Sequence, residues 1–136
     1  MDFLKSIAIA ASGLRAQAGR MRVISENIAN ADSTAPTAGG DPYRRKVPTF
    51  TSELDRTLDA KVVALGKVRP DTSAFRVKHE PSNPAADTAG NVKYPNVNPL
   101  IEMTDMRDAQ RSYEANLNII SATRRMIQRT LDILKA

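Results

Sequence analysis

Glu102, Asp105 and Asp108 fall three residues apart, the closest this sequence comes to an acid–base pair. On a helix that spacing lines carboxylates along one face, where each can shift its neighbour's protonation and divide general acid from general base. A plainer use is expected. Negative charge near a helix start offsets the positive end of the dipole, and Asp108 stands at ion-pair spacing from Arg111. His79 is the only His and sits beside Glu80-Pro81 without a partner, so it reads as a surface residue. There is no Gly-rich phosphate loop with its Lys, no His-Glu-x-x-His and no Gly-x-Ser-x-Gly elbow. With no Cys there is no thiol nucleophile and no Cys-ligated zinc. No catalytic residue, metal ligand or cofactor site is expected, and the chain reads as non-enzymatic.

The net charge is +5, from 20 basic and 15 acidic residues that are largely interspersed. Arg44-Arg45-Lys46 and Arg124-Arg125 are the clusters to weigh against nucleic acid. The first is short, with Tyr43 as its one aromatic neighbour. The second is split by helix geometry, since successive residues point about 100° apart. Neither forms the continuous basic stripe of a nucleic-acid binder, so no nucleic-acid partner is expected and a surface or inter-subunit role is preferred. A coiled-coil adaptor or basic nucleic-acid-binding module is the alternative.

The elements that carry these residues are set by proline. All eight Pro lie between Pro36 and Pro99, which leaves both ends free of the strongest helix breaker. The chain therefore divides into an N-terminal coiled-coil helix (1–31), a Pro/Gly-rich middle with short strands and turns (32–97) and a C-terminal coiled-coil helix (98–136). The expected class is mainly α: two long terminal helices forming a coiled-coil-like pair, with a small irregular, β-containing middle. Aromatic residues make up 4% and there is no Trp, so Ala, Leu, Ile, Val and Met must do the packing.

Both arms carry heptads. Ile7, Leu14, Met21 and Ile28 recur at seven, as do Phe3, Ala10, Gln17, Ile24 and Ala31. In the second arm Met103, Met106, Gln110, Tyr113, Leu117, Ile120, Arg124, Ile127, Leu131 and Leu134 follow a/d spacing. The residues expected to pack subunits are Ile7, Leu14, Met21, Ile24, Ile28, Met106, Tyr113, Leu117, Ile120, Ile127 and Leu131. Asp2 and Asn98 are the expected N-caps, with Pro99 at the first helical position. The first helix should fray near Asn30-Ala31-Asp32-Ser33.

Each arm has a second apolar stripe, Ile9, Ala16 and Val23 in one and Ile119, Met126 and Ile133 in the other. A helix from Pro99 to Lys135 would run ~55 Å at 1.5 Å per residue, whereas a compact chain of this size has a radius of gyration of ~14 Å. The remaining residues cannot wrap two such helices, so the second stripe is expected to meet another molecule. In the middle, Phe50, Leu54 and Leu58 are spaced for a short helix; Lys61–Val68, Phe75–Val77 and Asn91–Tyr94 read as strands. No run approaches the roughly 20 apolar residues that span a bilayer. Residues 5–18 imitate a signal peptide, but the run is short, broken by Ser12-Gly13, and its periodicity continues, so it is read as the start of a functional helix.

Ser12-Gly13-Leu14-Arg15-Ala16-Gln17, then Met21, then Asn27-Ile28-Ala29-Asn30-Ala31 resembles the N-terminal signature of the flagellar rod and hook proteins. Met103-Thr104-Asp105-Met106 through Arg111-Ser112-Tyr113-Glu114-Ala115-Asn116 is similar to their C-terminal signature. Its signature positions here are Arg111, Tyr113, Ala115 and Asn116. Gly40-Asp41-Pro42-Tyr43-Arg44-Arg45-Lys46, Pro84-Ala85-Ala86-Asp87-Thr88-Ala89-Gly90 and Tyr94-Pro95-Asn96-Val97-Asn98-Pro99 resemble the short proximal-rod members. Asn83 and Asn91 depart from the common pattern, and Val47–Ser73 carries little of it. The resemblance implies a subunit of the periplasm-spanning rod of the basal body that serves motility. It also implies type III export without signal cleavage, and copies of itself, related rod proteins and the export apparatus as partners.

Overall fold

The computed structural model describes residues 2–135. Helix α1 (Phe3–Ala29) and helix α2 (Pro99–Lys135) enclose in sequence six short strands. These pair antiparallel in twos: β1 (Lys46–Val47) with β4 (Arg69–Pro70), β2 (Phe50–Asp55) with β3 (Ala60–Leu65), and β5 (Arg76–His79) with β6 (Asn91–Tyr94). Two terminal helices and a small strand-containing middle are thus as expected.

Both helices start on the expected caps. The Leu4 amide donates to Asp2 Oδ1 at 2.9 Å, and the Leu100 amide donates to Asn98 Oδ1 at 3.1 Å. Each satisfies one of the orphan amides of a first turn. After α1 ends at Ala29, the Asn30 side-chain amide donates to the Glu26 carbonyl at 2.9 Å. Arg76 then donates to the Ala31 carbonyl at 2.8 Å. The Glu26 carbonyl also accepts the Asn30 backbone amide at 3.1 Å, so Asn30 bonds it twice, and the Arg76 bond holds the chain just past the helix end.

The middle corrects one expectation. Phe50 and Leu54 lie in strand β2, and Leu58 in the turn after it, rather than in a helix. Phe50 pairs with Leu65 and Asp55 with Ala60. Asp55 Oδ1 accepts from the Thr57 and Leu58 amides at 2.9 and 3.3 Å, so the carboxylate supplies the turn chemistry that closes the hairpin. The second strand ends at Leu65, before Gly66, not at Val68; β5 runs one residue later than expected at its start and β6 spans the expected residues.

The chain forms two compact units. The first comprises Met1–Met21, Thr49–Lys67 and Arg107–Ala136; the second comprises Arg22–Pro48 and Val68–Met106. In the first, Ala10, Ala16, Ala109 and Thr123 are buried. Small residues let helix backbones and the β2–β3 hairpin come close. A Cβ on Gly19 would meet a Leu65 methyl at 2.7 Å, and one on Gly13 would meet the Asn116 amide at 2.9 Å. In the second, Val92 and Tyr94 on one face of β6 pack with Ala85 and Ala86. Gly90 enters β6 at φ 79°, where a Cβ would also meet His79 at 2.9 Å, so only glycine fits without strain.

Candidate functional site

The signature residues become concrete in the second unit around Asn27, which has no exposed surface. Its amide nitrogen donates to the Lys46 carbonyl at 2.8 Å and to Glu102 Oε2 at 3.1 Å. Its oxygen accepts from the Lys46 amide at 2.9 Å and the Tyr43 hydroxyl at 2.7 Å. All four hydrogen-bonding capacities are filled. The side chain bonds both backbone groups of Lys46 as a neighbouring strand would, fixing the segment that leads into β1.

Glu102 is the second buried member. Its other oxygen accepts from Arg45 Nε at 2.5 Å, and the same guanidinium lies 3.3 Å from Asp71 and 3.7 Å from Asp105. Asn96 Oδ1 accepts from the Arg45 amide at 2.8 Å, and its nitrogen donates to Ser73 Oγ at 2.9 Å. Burial alone would lower the Arg45 pKa, but hydrogen bonds to Glu102 and Asp71 carry it upward instead. Tyr43 is pushed up to about 12, first by burial and then by the charges of Glu26 and Glu102, so its hydroxyl stays a donor to Asn27. Asp71 is held below its ordinary 3.8, first by hydrogen bonds from Ser73 and then by Arg45.

That depression sets a pH dependence. A carboxylate with a lowered folded-state pKa contributes stability that is full above its unfolded value and is lost as pH falls through the folded one. Stability of the second unit is therefore expected to fall from about pH 4 downward, and the Asp71→Asn variant should show a shallower fall. Urea melts across that range check it; parallel profiles would refute the assignment.

Arg44-Arg45-Lys46 is divided between roles: Arg45 turns inward to Glu102, whereas Lys46, paired with Glu26, and Arg44, which lies 4.1 Å over the Phe75 ring while donating to the Asp71 and Ser73 carbonyls, stay half-exposed. Glu102 serves a buried ion pair rather than only the helix dipole. Asp108 and Arg111, both exposed, do not pair among the described residues.

The first unit holds Ser12, Gly13, Leu14, Arg111, Tyr113, Ala115 and Asn116 of the signatures. Ser12 Oγ donates to the Ile9 carbonyl at 2.6 Å and accepts from the Val63 amide at 3.2 Å, closing the free edge of β3. Gly13 admits the Asn116 side chain. Of the expected packing residues, Ile24 is buried; Ile7, Leu14, Met21, Ile28, Met106, Tyr113, Ile120 and Ile127 are half-buried; Leu117 and Leu131 are exposed. Ala29, Arg111 and Ala115 of the signatures are exposed, while Asn30 is half-buried. Sequence reasoning missed the inward row Glu102, Ala109, Asn116 and Thr123, spaced by seven and one position before Met103, Gln110, Leu117 and Arg124. Its residues are small or polar, so a search for large apolar side chains passes over it. Beyond Thr123 almost every position of α2 is exposed, including Met126, Leu131, Ile133 and Leu134.

Among the described residues no helix is long and apolar enough to cross a membrane. No cluster of three His, Cys, Asp or Glu residues there could hold a metal ion. His79 is exposed, with Nδ1 3.3 Å from Asn91 Oδ1.

Residues 7–35 match the family model described as flagella basal body rod protein, and residues 88–133 match that of the flagellar basal body rod FlgEFG protein C-terminal. A protein of Agrobacterium fabrum named flagellar basal-body rod protein FlgC is 56% identical, covering 100% of this chain and 99% of that one. Proteins of the same name from Aquifex aeolicus and Salmonella typhimurium are 36% and 37% identical, covering 99% and 98% of each chain. Likeness at that level over the full length, with both terminal signatures matched, places the chain in the FlgC family of flagellar basal-body rod proteins.

Proposed function

We propose that the chain is a structural, non-catalytic subunit of the proximal rod of the basal body, the shaft that crosses the periplasm and serves motility. The observation that carries this reading is the end of α2. From Arg124 onward the helix keeps Met126, Leu131, Ile133 and Leu134 on exposed faces, with Ile133 and Leu134 about three-quarters exposed. Burying each such side chain is worth about 1.5–3 kcal/mol, and a chain that leaves several in water is completed by another molecule.

The terminal helices act as the assembly modules, 1–31 and 98–136, with 32–97 as the connecting middle. Coiled-coil pairing of the helices is supported by spacing. Gly13 approaches Asn116 and Asn27 bonds Glu102, and the two pairs stand fourteen residues apart, two heptads, on both helices. Ile7, Leu14, Met21, Ile24, Ile28, Met106, Tyr113, Leu117, Ile120, Ile127 and Leu131 pack within and between subunits. Partners are further copies and related rod proteins, reached after export through the flagellar apparatus with the N-terminal helix uncleaved.

Deletion of the gene should abolish swimming, and a tagged copy that restores it should co-purify with detergent-extracted basal bodies. A complementing copy absent from those particles would refute the reading.

A further inference from the structure

We propose that an open groove in the second unit receives the β2–β3 hairpin of a second copy of the chain, making a head-to-tail contact. The proposal rests on the rod reading. The groove, about 820 Å³, runs along the last turns of α1 and beside β1 and β4. Val23, Val68 and Pro70 give it apolar walls, and Arg22, Arg44 and Lys46 line it with positive charge against one carboxylate, Glu26. Lys46 is paired with Glu26. Arg44 spends its donors on neutral carbonyl oxygens, and exposed Arg22 is in no ion pair among the described residues. Two cationic charges are left for a partner.

The hairpin has the complementary character. Hairpin residues 50–65 carry Glu53, Asp55 and Asp59 against Arg56 and Lys61, three acidic residues to two basic, with Lys61 paired opposite Leu54. Leu54 is 59% exposed, and Phe50 and Val63 on the same face of the ribbon are exposed as well. The turn is pinned by Asp55, and Asp59 holds φ 46°, so the tip is already ordered and docking costs little conformational entropy. Groove and hairpin are different surfaces. Where each copy gives its hairpin to one neighbour and takes the hairpin of another, the contact propagates from copy to copy as a helical filament requires; a reciprocal exchange about a twofold axis would instead stop at a dimer.

The absence of native Cys makes thiol cross-linking clean. Thr57→Cys at the tip and Val68→Cys in the groove are both at exposed positions. In cells lacking the native copy, with basal bodies isolated after oxidation, the double variant should give a ladder of dimers and larger species on a non-reducing gel. Mixed single variants should give dimers, and either alone only monomer. Adding Arg22→Glu should cut the ladder at least fivefold. A double variant that enters basal bodies yet stays monomeric overturns the proposal, as do dimers from Thr57→Cys alone. A complementing chain absent from basal bodies overturns the rod reading and the proposal with it.

Discussion

Glu102→Ala is expected to destabilise the second unit by about 3 kcal/mol, the low end of the cost of breaking a buried ion pair from one side. Glu102 is 1% exposed and holds both Arg45 and Asn27. Removing the carboxylate takes from the Arg45 guanidinium its nearest anionic partner and from the Asn27 amide one acceptor. Asp71 and Asp105 remain beside Arg45, which keeps the loss from the upper end of the range. Glu102→Gln keeps the shape and one acceptor for Asn27 but sets its NH2 against the Arg45 guanidinium, so it should recover only a small part of the loss. The pair is coupled, and Arg45→Ala added to Glu102→Ala should cost less than the sum of the two singles. Amide hydrogen exchange of β1, β5 and β6 reads the effect on this unit. A change below about 1 kcal/mol in Glu102→Ala would mean that the pair contributes little beyond its own desolvation.

What was legible in the sequence follows from how local each cause is. The helices and their caps were readable because proline distribution, heptads and Asp2 or Asn98 act within a few residues. The β2–β3 hairpin was not. Phe50, Leu54 and Leu58 have helical spacing, and the strand wins because its partner Ala60–Leu65 lies across a turn that Asp55 closes. The short length of each strand made pattern a weak guide there. The buried cluster was half legible. Asn27 and the Arg44-Arg45-Lys46 run stood out by resemblance and by charge, but their meeting with Glu102 is a contact across 57 and 75 positions in sequence. No periodicity encodes it. The inward row of α2 was hidden for a different reason: Ala109, Asn116 and Thr123 are chosen for small size, so the large residues one position on drew the seam.

That shift of one position gives the exposed stripes their functional weight. In Met126→Asp with Ile133→Asp, swimming and incorporation into basal bodies are expected to be lost while the isolated chain keeps its stability within about 0.5 kcal/mol. Met126 is 46% and Ile133 75% exposed, so in the free subunit each new carboxylate is hydrated and the packing given up is mainly the covered part of Met126. On the proposed packing the same faces are buried in the rod, and each unpaired carboxylate then costs several kcal/mol, repeated at every copy. Ile120→Asp would be a poorer test, because Ile120 is already half-buried within its own unit and folding and assembly would fail together. Arg129→Asp, exposed and one turn from both Met126 and Ile133, adds negative charge to the same face without removing apolar surface and is the control for charge alone. Circular dichroism of the purified variants separates the two effects from soft-agar motility. Full motility in the double variant would place this stripe in water inside the assembled rod, and the assembly surface would then have to be sought on Leu117, Leu131 and Leu134 instead.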